Sequence, residues 1–590
     1  MILHLLKHRF RETLGQFVDD PIPYLEMIRP SQDPKFGDYQ ANMAMSLGKK
    51  LGKPPREVAA EIVAKLDLDG LCTSPEIAGP GFINLRVADS LLGELLQKAV
   101  GDEQRLAISP VAPGEKKRYV IDYSAPNVAK PMHVGHIRST MIGNALVRIL
   151  RFYGHEVITD NHIGDWGTQF GMILYGYRNF LDKVAYEANP VQELSRLYRH
   201  VRQLADQPNE EGKRITALVL EETAKLHGGD PENLALWNKF VPVCMEEIER
   251  IYRRLGVEFD HTLGESFYQP MLGPLVDDLI RRGIAVETEG AIGIFLEGYE
   301  IPMLIRKKDG AFLYSTTDLA TIQYRMEKFQ PDAILYLTDF RQSLHFEQLF
   351  KAAGIATCRQ DACGPSGPSG PKLPELVHVK FGTVLGEDGK PFKTRSGDTV
   401  GLESLLDEAE SRAFAVLEKN LEGEGEPDRE TARRIGLGAL VYADLSQNRE
   451  SDYVFSFDKM LAMNGNTATY MQYAYARVRS IFTKGNIDVD ALRRSPQPIQ
   501  LSAPQERALA LELLKFDEAI EGAIRDYRPN QLTAYLYELA NRYSHFFEHC
   551  PVLKADDESA KQSRLKLCDL TARTIRLGLL LLGIETVERM

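Results

Sequence analysis

The sequence predicts a multidomain α/β protein: a parallel-sheet domain set between an N-terminal α+β domain and a C-terminal all-α domain. Three observations carry this. At 590 residues the chain is too long for one hydrophobic core. Between Lys117 and Ile163 a β-branched run (Tyr119-Val120-Ile121) precedes Ile137, Met141, Ile142, Ala145, Leu146, Ile149 and Leu150 at helical spacing. A second such run (Val157-Ile158-Thr159) follows, with Gly154 placed as a helix C-cap. Strand, helix, strand in so short a span is a right-handed βαβ crossover on a parallel sheet. From about residue 400 the helical period continues with no convincing strand.

Composition narrows the class. The chain is 44% hydrophobic and 26% charged, as an ordinary globular protein is. No run of eighteen apolar residues exists, so no membrane span is expected. The opening MILHLLKHRFRETL reads as an amphipathic helix rather than a signal peptide. Six cysteines without a C-x-x-C pair argue against a disulfide framework and a zinc ribbon, and favour a reducing cytoplasm. The net charge of −12 does not advertise a nucleic-acid binder; residues 451–590 are near neutral, which leaves room for a local basic face.

Residues 1–112 form the N-terminal domain. Pro54, Pro55 and Glu57 open a helical run, VAAEIVAKLD, and Ala78-Gly-Pro-Gly-Phe-Ile-Asn-Leu-Arg86 gives a turn and a strand. Phe82 and Asn84 share one face of it. An exposed aromatic beside an amide suits stacking on an extruded base; by pattern alone Phe82 reads as core. Gly37-Asp-Tyr-Gln40 with Asn42 is the companion segment, and PVAPGEKK at 110–117 is the linker.

Residues 113–400 form the parallel-sheet domain. Its first strand ends at Asp122, and the turn beyond holds Ser124-Ala-Pro-Asn127 and then His133-Val-Gly-His136. Ligands bind beyond the carboxyl ends of such strands. Histidines three apart at a helix start lie on one face, where ring N–H groups and the unpaired backbone N–H groups of the first turn can converge on an anion. Gly135 has no Cβ, so a flat base can approach there. This suits a nucleotide triphosphate attacked at its α-phosphorus. Two surface histidines on an ordinary helix is the bland alternative. Asn127 by itself only caps the turn.

Residues about 179–260 are helical and charged, an insertion between two halves of the fold. AFLYSTTDLATIQYRM at 311–326 resumes it, with Tyr314 and Asp318 one helical turn apart. A carboxylate beside an aromatic ring fits a guanidinium; equally, Asp318 caps and Tyr314 is core. A strand at 333–337 precedes Gln342 and His345. The duplicated Gly-Pro-Ser around 364–371 is a surface loop, and Val377–Val384 reads as a strand before a loop at 386–397. Residues 401–450 form a helical stem and 451–590 the C-terminal domain. There Tyr470, Tyr473 and Arg477 share a helix face that suits base stacking and phosphate contact, although a tyrosine-rich helix is commonly core.

SAPNVAKPMHVGHIRST followed by Gly164-Asp-Trp-Gly-Thr-Gln-Phe-Gly171 resembles the HIGH region of class I aminoacyl-tRNA synthetases in the arginyl form, and further matches extend the resemblance over essentially the whole chain. It implies a Rossmann-type class I catalytic domain with a tRNA-contacting N-terminal domain, near the D-loop, and a C-terminal anticodon-binding domain. It implies ATP as substrate with Mg²⁺, L-arginine and tRNA(Arg) as partners, no membrane, no dedicated protein metal cage, and a cytoplasmic monomer. His133, Gly135 and His136 would act on ATP, with His345 along the adenosine. Asp122, Asn127, Tyr314, Asp318 and Gln342 would bind arginine. The loop Phe392-Lys393-Thr394-Arg395-Ser396 stands where KMSKS does, with Lys393 and Arg395 as its cations. It lacks a clear second lysine, and Lys130 would supply that charge. Gln40, Phe82, Asn84, Tyr470, Tyr473, Arg477 and Met590 would contact tRNA. Rival readings are a synthetase for another amino acid, a small nucleotidyltransferase, which lacks an anticodon-type module, and a non-catalytic RNA-binding relative.

Overall fold

The computed structural model describes residues 1–357, 372–392, 400–420, 428–555 and 557–590. They divide into two compact units: Val111–Leu461 with Leu581–Ile584, and a unit joining Met1–Pro110 to Ala462–Leu580 and Glu585–Met590.

The first of these is built on a five-stranded sheet, parallel throughout, in the order Glu375–His378, Ala333–Tyr336, Arg118–Asp122, Glu156–Asn161, His261–Thr262. The middle strands are buried along their length, as a sheet covered on both faces requires. The crossover helix Val134–Tyr153 links the third and fourth, and ends at Gly154, whose φ of 104° a side chain would resist. Asp122 and Asp160 face each other across the register at the carboxyl ends, next to Tyr336.

The insertion forms four helices, Lys183–Ala188, Pro190–Ala205, Glu210–His227 and Pro231–Leu255. Asp182, Asn189, Asn209 and Asp230 cap them through their side chains. Leu194, Leu197, Val201, Val219 and Phe240 pack them onto Phe170 of the Thr168–Phe180 helix. After Glu265–Arg281 comes a small antiparallel sheet, Ala285–Thr288, Ala291–Ile294 and Met303–Arg306, then the helices Tyr314–Phe329 and Ser343–Thr357. The single strand expected over Val377–Val384 is two pieces, Glu375–His378 and Val384–Leu385. Between them the backbone leaves the sheet, and Gly382 N–H donates to the carbonyl of Arg449 at 2.8 Å. The second piece pairs with Tyr453–Val454, a strand within a region expected to be wholly helical. The Gly-Pro-Ser loop at 364–371 lies outside the described residues.

One buried guanidinium ties these segments. Arg138, in the second turn of the crossover helix, is 1% exposed. Its Nη1 donates to the carbonyls of Gly382 (2.8 Å) and Ser451 (3.0 Å), and its Nε lies 2.8 Å from the Asp444 carboxylate. The rings of Phe381 and Tyr453 flank it. Asp444 belongs to Arg429–Leu445, which packs with Leu402–Asn420 as the stem.

The other unit holds a four-stranded antiparallel sheet, ordered Ile28–Pro30, Tyr39–Ala41, Phe82–Leu85, Glu76–Ala78, and the helices Ile2–Leu14, Met43–Leu51, Pro55–Lys65 and Asp89–Gly101. Against them pack C-terminal helices, among them Pro504–Leu513 and Phe516–Arg525. Arg507 grips Asp38 with two parallel bonds (2.9 and 2.7 Å), reaches Asp89 at 2.6 Å, and also donates to the Val87 carbonyl.

Replacing Asp444 by Leu leaves the Arg138 guanidinium buried without its anion. The expected loss is roughly 3–5 kcal/mol, read as a lower urea midpoint and melting temperature. The paired Arg138→Met/Asp444→Leu variant should regain most of it.

Candidate active site

The turn after the first strand is wound tightly. Ser124 and Ala125 take left-handed backbone angles, φ 70° and 44°, although neither is glycine. Such strain persists only where neighbours impose it. Here Ser124 N–H donates to Ser139 Oγ (2.9 Å), its hydroxyl meets Thr140 and Tyr252 (both 2.8 Å), and Ala125 N–H donates to Asn161 Oδ1 (3.1 Å). Asn127 follows; its Oδ1 accepts from Ala129 N–H, and its backbone bridges to Gly164.

His133 is the N-cap of the crossover helix. Its Nδ1 accepts from Gly135 N–H (3.1 Å), while His136 Nδ1 accepts from His133 N–H (3.0 Å). An acceptor Nδ1 carries no proton, so both imidazoles hold theirs on Nε2. Burial lowers the His133 pKa, with Lys130 adding to it, and burial beside the neighbouring His133 imidazole pushes His136 down to about 3. Both rings are neutral Nε2–H donors, with centroids 4.0 Å apart. The expectation that free first-turn backbone N–H groups bind the anion is corrected: Val134 N–H donates to Val400, Gly135 N–H to His133, and His136 N–H to the His133 carbonyl. The capping bonds consume those donors and fix the rings. Gly135 is required for the same reason, since a Cβ there would lie 2.9 Å from the His133 ring.

A cavity of about 460 Å³ opens beside these rings. His133, Gly135, His136 and Ser139 line it; Leu337, Phe381 and Val384 supply apolar surface, and Gln342 is also in the lining. Its size and mixed lining fit a nucleotide.

Carboxylates gather on the other side of the strand ends. Arg325, fully buried, donates through Nη2 to Asp122 (2.7 Å) and Asp160 (2.8 Å). Burial raises the Asp122 pKa, and Arg325 opposes that rise. Two carboxylates against one guanidinium leave a net negative charge, and of the pair Asp122 is the one that keeps solvent exposure, 9%. A second cluster joins Asp318 to His345, 2.6 Å from Oδ2 to Nε2, with the exposed Tyr314 ring edge-on to His345 at 4.8 Å. His345, expected along an adenosine, stands instead beside Asp318 and is not on the cavity wall. Gln342, expected with Tyr314 and Asp318, lines the cavity of the histidines.

Sequence reading missed three residues. Arg138 and Arg325 are buried cations whose partners are remote in the chain. Glu265 is the third: burial, then Asp165 and Asp318, push its carboxyl up to about 8. A carboxyl so raised, beside Asp165 and Asp318, marks a candidate place for a cation. Spacing gave no sign of it, since Glu265 opens an unremarked helix.

Lys130 rests over the Tyr198 ring of the insertion, 4.9 Å away. Lys393 and Arg395 lie outside the described residues. In the other unit, Gln40 Nε2 donates to Asn84 Oδ1 at 2.9 Å across paired strands. Asn84 is buried at 6% exposure and Phe82 half-buried, so the exposed aromatic–amide pair is corrected to a half-covered ring beside a buried amide bonded to Gln40. Tyr473 is exposed; Tyr470 lies against Tyr537, and Arg477 over the Phe547 ring. The tail bearing Met590 runs along their helix, Ala468–Gly485, where Gln472 donates to the Glu585 carbonyl and Tyr475 to Glu588, each at 2.8 Å.

Comparison with known proteins assigns each region. Residues 97–457 match the family described as tRNA synthetases class I (R), catalytic domain; residues 471–590 match the DALR anticodon binding domain, and residues 4–87 the arginyl tRNA synthetase N terminal domain. A protein of Rhodopirellula baltica described as arginine–tRNA ligase is 46% identical, over 100% of this chain and 99% of its own. One of Citrobacter koseri with the same description is 46% identical over 95% of both. The crystal structure of arginyl-tRNA synthetase from Plasmodium falciparum superposes with a TM-score of 0.83 at 27% identity, covering 100% of this chain and 99% of that one.

The tautomer assignment is testable. The ¹⁵N shifts of His136 should report a neutral Nε2–H ring down to about pH 4. An unfolded imidazole titrates near ~6.5, so between about 3 and 6.5 the unfolded chain binds the extra proton. Stability therefore rises with pH across that window and is lost as pH falls; a His136→Gln variant should show a flatter dependence of urea midpoint on pH.

Proposed function

The chain belongs to the arginyl-tRNA synthetases of class I, and from that membership we propose how its residues divide the reaction. The protein is an arginine–tRNA ligase. A carboxylate oxygen of arginine attacks the α-phosphorus of ATP, the bond to the β-phosphate bridge breaks, and pyrophosphate leaves. A ribose hydroxyl of the tRNA 3′-terminal adenosine then attacks the arginyl carbonyl. It loses its proton, and AMP departs.

The observation that carries our assignment is the pair of neutral Nε2–H imidazoles on a nucleotide-sized cavity. His133 and His136 donate to phosphoryl oxygens as charge builds on them, and being preset by capping bonds they need no reorganisation. Gly135 leaves the nucleotide room. Among the described lining residues the carboxylate is Asp339, which accepts from Nε and Nη2 of Arg341, each at 2.7 Å. Mg²⁺ would enter with the triphosphate as part of the substrate. Lys130 lowers both imidazole pKa values from where it stands, which supports a role at the triphosphate once it leaves Tyr198. Lys393 and Arg395 would close on the same charge from their loop.

Arginine's ammonium takes the net negative charge at Asp122, with Asn127 beside it, and its guanidinium lies between Tyr314 and the acids Asp318 and Glu265. Gln342, in the lining of the histidine cavity, orients the amino acid toward ATP. Gln40 and the half-covered Phe82 ring, with the buried Asn84 amide holding Gln40 in place, form one tRNA contact; Tyr470, Tyr473, Arg477 and the Met590 tail form another. No described helix is long and apolar enough to cross a membrane. The four described cysteines are free thiols, in keeping with a cytoplasmic setting.

Arginine-dependent ATP–pyrophosphate exchange, run with and without tRNA, tests the reading. His133→Ala and His136→Ala should each lose on the order of 10²–10³-fold in kcat with tRNA affinity kept. Parental exchange in both would remove the histidines from the phosphate site.

The guanidinium site makes a separate prediction. With its pKa near 8, Glu265 is largely protonated at neutral pH and must ionise against the arginine side chain. Arginine binding should release close to one proton at pH 7 and progressively less above pH 8, measured by calorimetry in buffers of different ionisation enthalpy. Glu265→Gln should abolish the release and weaken arginine binding. Release unchanged in that variant would take Glu265 out of the pocket.

A further inference from the structure

We propose that the last turn of the helix Asn530–His549 carries a binding site for a divalent transition-metal ion, held by His545, Glu548 and His549. The site stands apart from ATP and its Mg²⁺ and rests on none of the assignments above. The three residues fall at i, i+3 and i+4, the spacing that puts side chains on one helix face. One potential ligand atom from each lies within 4.8 Å of the others. All three are exposed, so an ion reaches them without any opening of the fold.

Two further features prepare the site. His549 Nδ1 lies 2.8 Å from the carbonyl oxygen of His545. A carbonyl only accepts, so Nδ1 carries the proton and the Nε2 lone pair is left outward, the usual second contact of a metal-ligating histidine. The two rings stand nearly parallel, 22° apart, as neighbouring ligands on successive turns. The turn is also the carboxyl end of the helix, where unpaired carbonyls concentrate partial negative charge and favour a cation. The cation nearest in sequence on this helix, Arg542, is paired with Glu538 at 2.7 Å.

Two imidazoles and one carboxylate select the borderline ions, Zn²⁺, Co²⁺, Ni²⁺ or Cu²⁺, over Mg²⁺ and Ca²⁺, which prefer all-oxygen shells. Three protein ligands leave coordination positions for water. Cysteine spacing, the usual metal signal in a sequence, gives no hint of such a site.

The test uses the full-length protein, freed of metal by chelation. Zn²⁺ is titrated calorimetrically, and Co²⁺ by its visible absorption. We expect one equivalent that disappears, or weakens by about 10- to 100-fold or more, in His545→Ala and in His549→Ala, with a smaller loss in Glu548→Gln. Melting temperatures without metal should match the parental chain, because the residues are exposed, and Zn²⁺ should raise only the parental value. Three results overturn the proposal: no Zn²⁺ binding by the parental chain, equal stoichiometry and affinity in both histidine variants, or binding that follows the thiols and survives both substitutions.

Discussion

The interaction on which the catalytic unit depends is the buried charge pair of Arg138 and Asp444. A guanidinium without solvent is tolerable only when its charge is balanced, and here two carbonyls accept from Nη1 while the Asp444 carboxylate lies against Nε. The consequence reaches the chemistry because of where Arg138 sits. It is two residues past His136, on the helix whose cap orients both imidazoles. Its carbonyl partner Gly382 is on the far wall of the same cavity, and Asp444 is in the stem. Moving any one segment breaks bonds to the others, so this polar core ties the helix of the histidines, the Gly382 segment and the stem together beside the cavity.

Charge is divided between two groups of residues at the strand ends. The cavity lined by His133 and His136 presents neutral imidazole donors, because burial keeps the rings unprotonated and capping bonds fix their tautomer. The cluster of Asp122, Asp160, Asp318 and Glu265 presents acids in excess. Arg325 cancels one of the two carboxylates at the strand ends, and Glu265 is held protonated by burial and by Asp165 and Asp318. A site that stored all those charges bare would repel itself. A proton on Glu265 and an internal guanidinium on Asp122 and Asp160 offset those charges, and in the function we propose that proton leaves when a substrate cation arrives.

Much of this was legible in the sequence where the signal is local. The βαβ unit, the crossover helix with its glycine cap, the helical insertion and the Tyr314–Asp318 turn follow from periodicity over a dozen residues. So does the meeting of His133 and His136. What was not legible depends on contacts between distant segments. Arg138 and Arg325 read as ordinary helix charges until Asp444, Asp122 and Asp160 are brought to them. Asn84 alternates like an exposed residue, but its strand is covered and its amide bonded to Gln40. The first-turn N–H groups were expected to be free because the chain does not announce that a histidine will cap them. The strand Tyr453–Val454 is too short to show a period and exists only because Val384–Leu385 runs beside it.

The union of the two chain ends in one unit bears on how this enzyme can be dissected. Arg507 spans from a C-terminal helix to Asp38 and Asp89, and Tyr39 donates to Glu518. Deleting residues 1–110 would do more than subtract the tRNA contact we propose there. It would strip the cover from apolar C-terminal helices and leave Arg507 without its acids. Truncation therefore confounds lost recognition with lost folding. The separate contribution of each end to tRNA binding is better measured by point substitutions on the outer surface, and fusion or domain exchange must carry both ends together as one cassette.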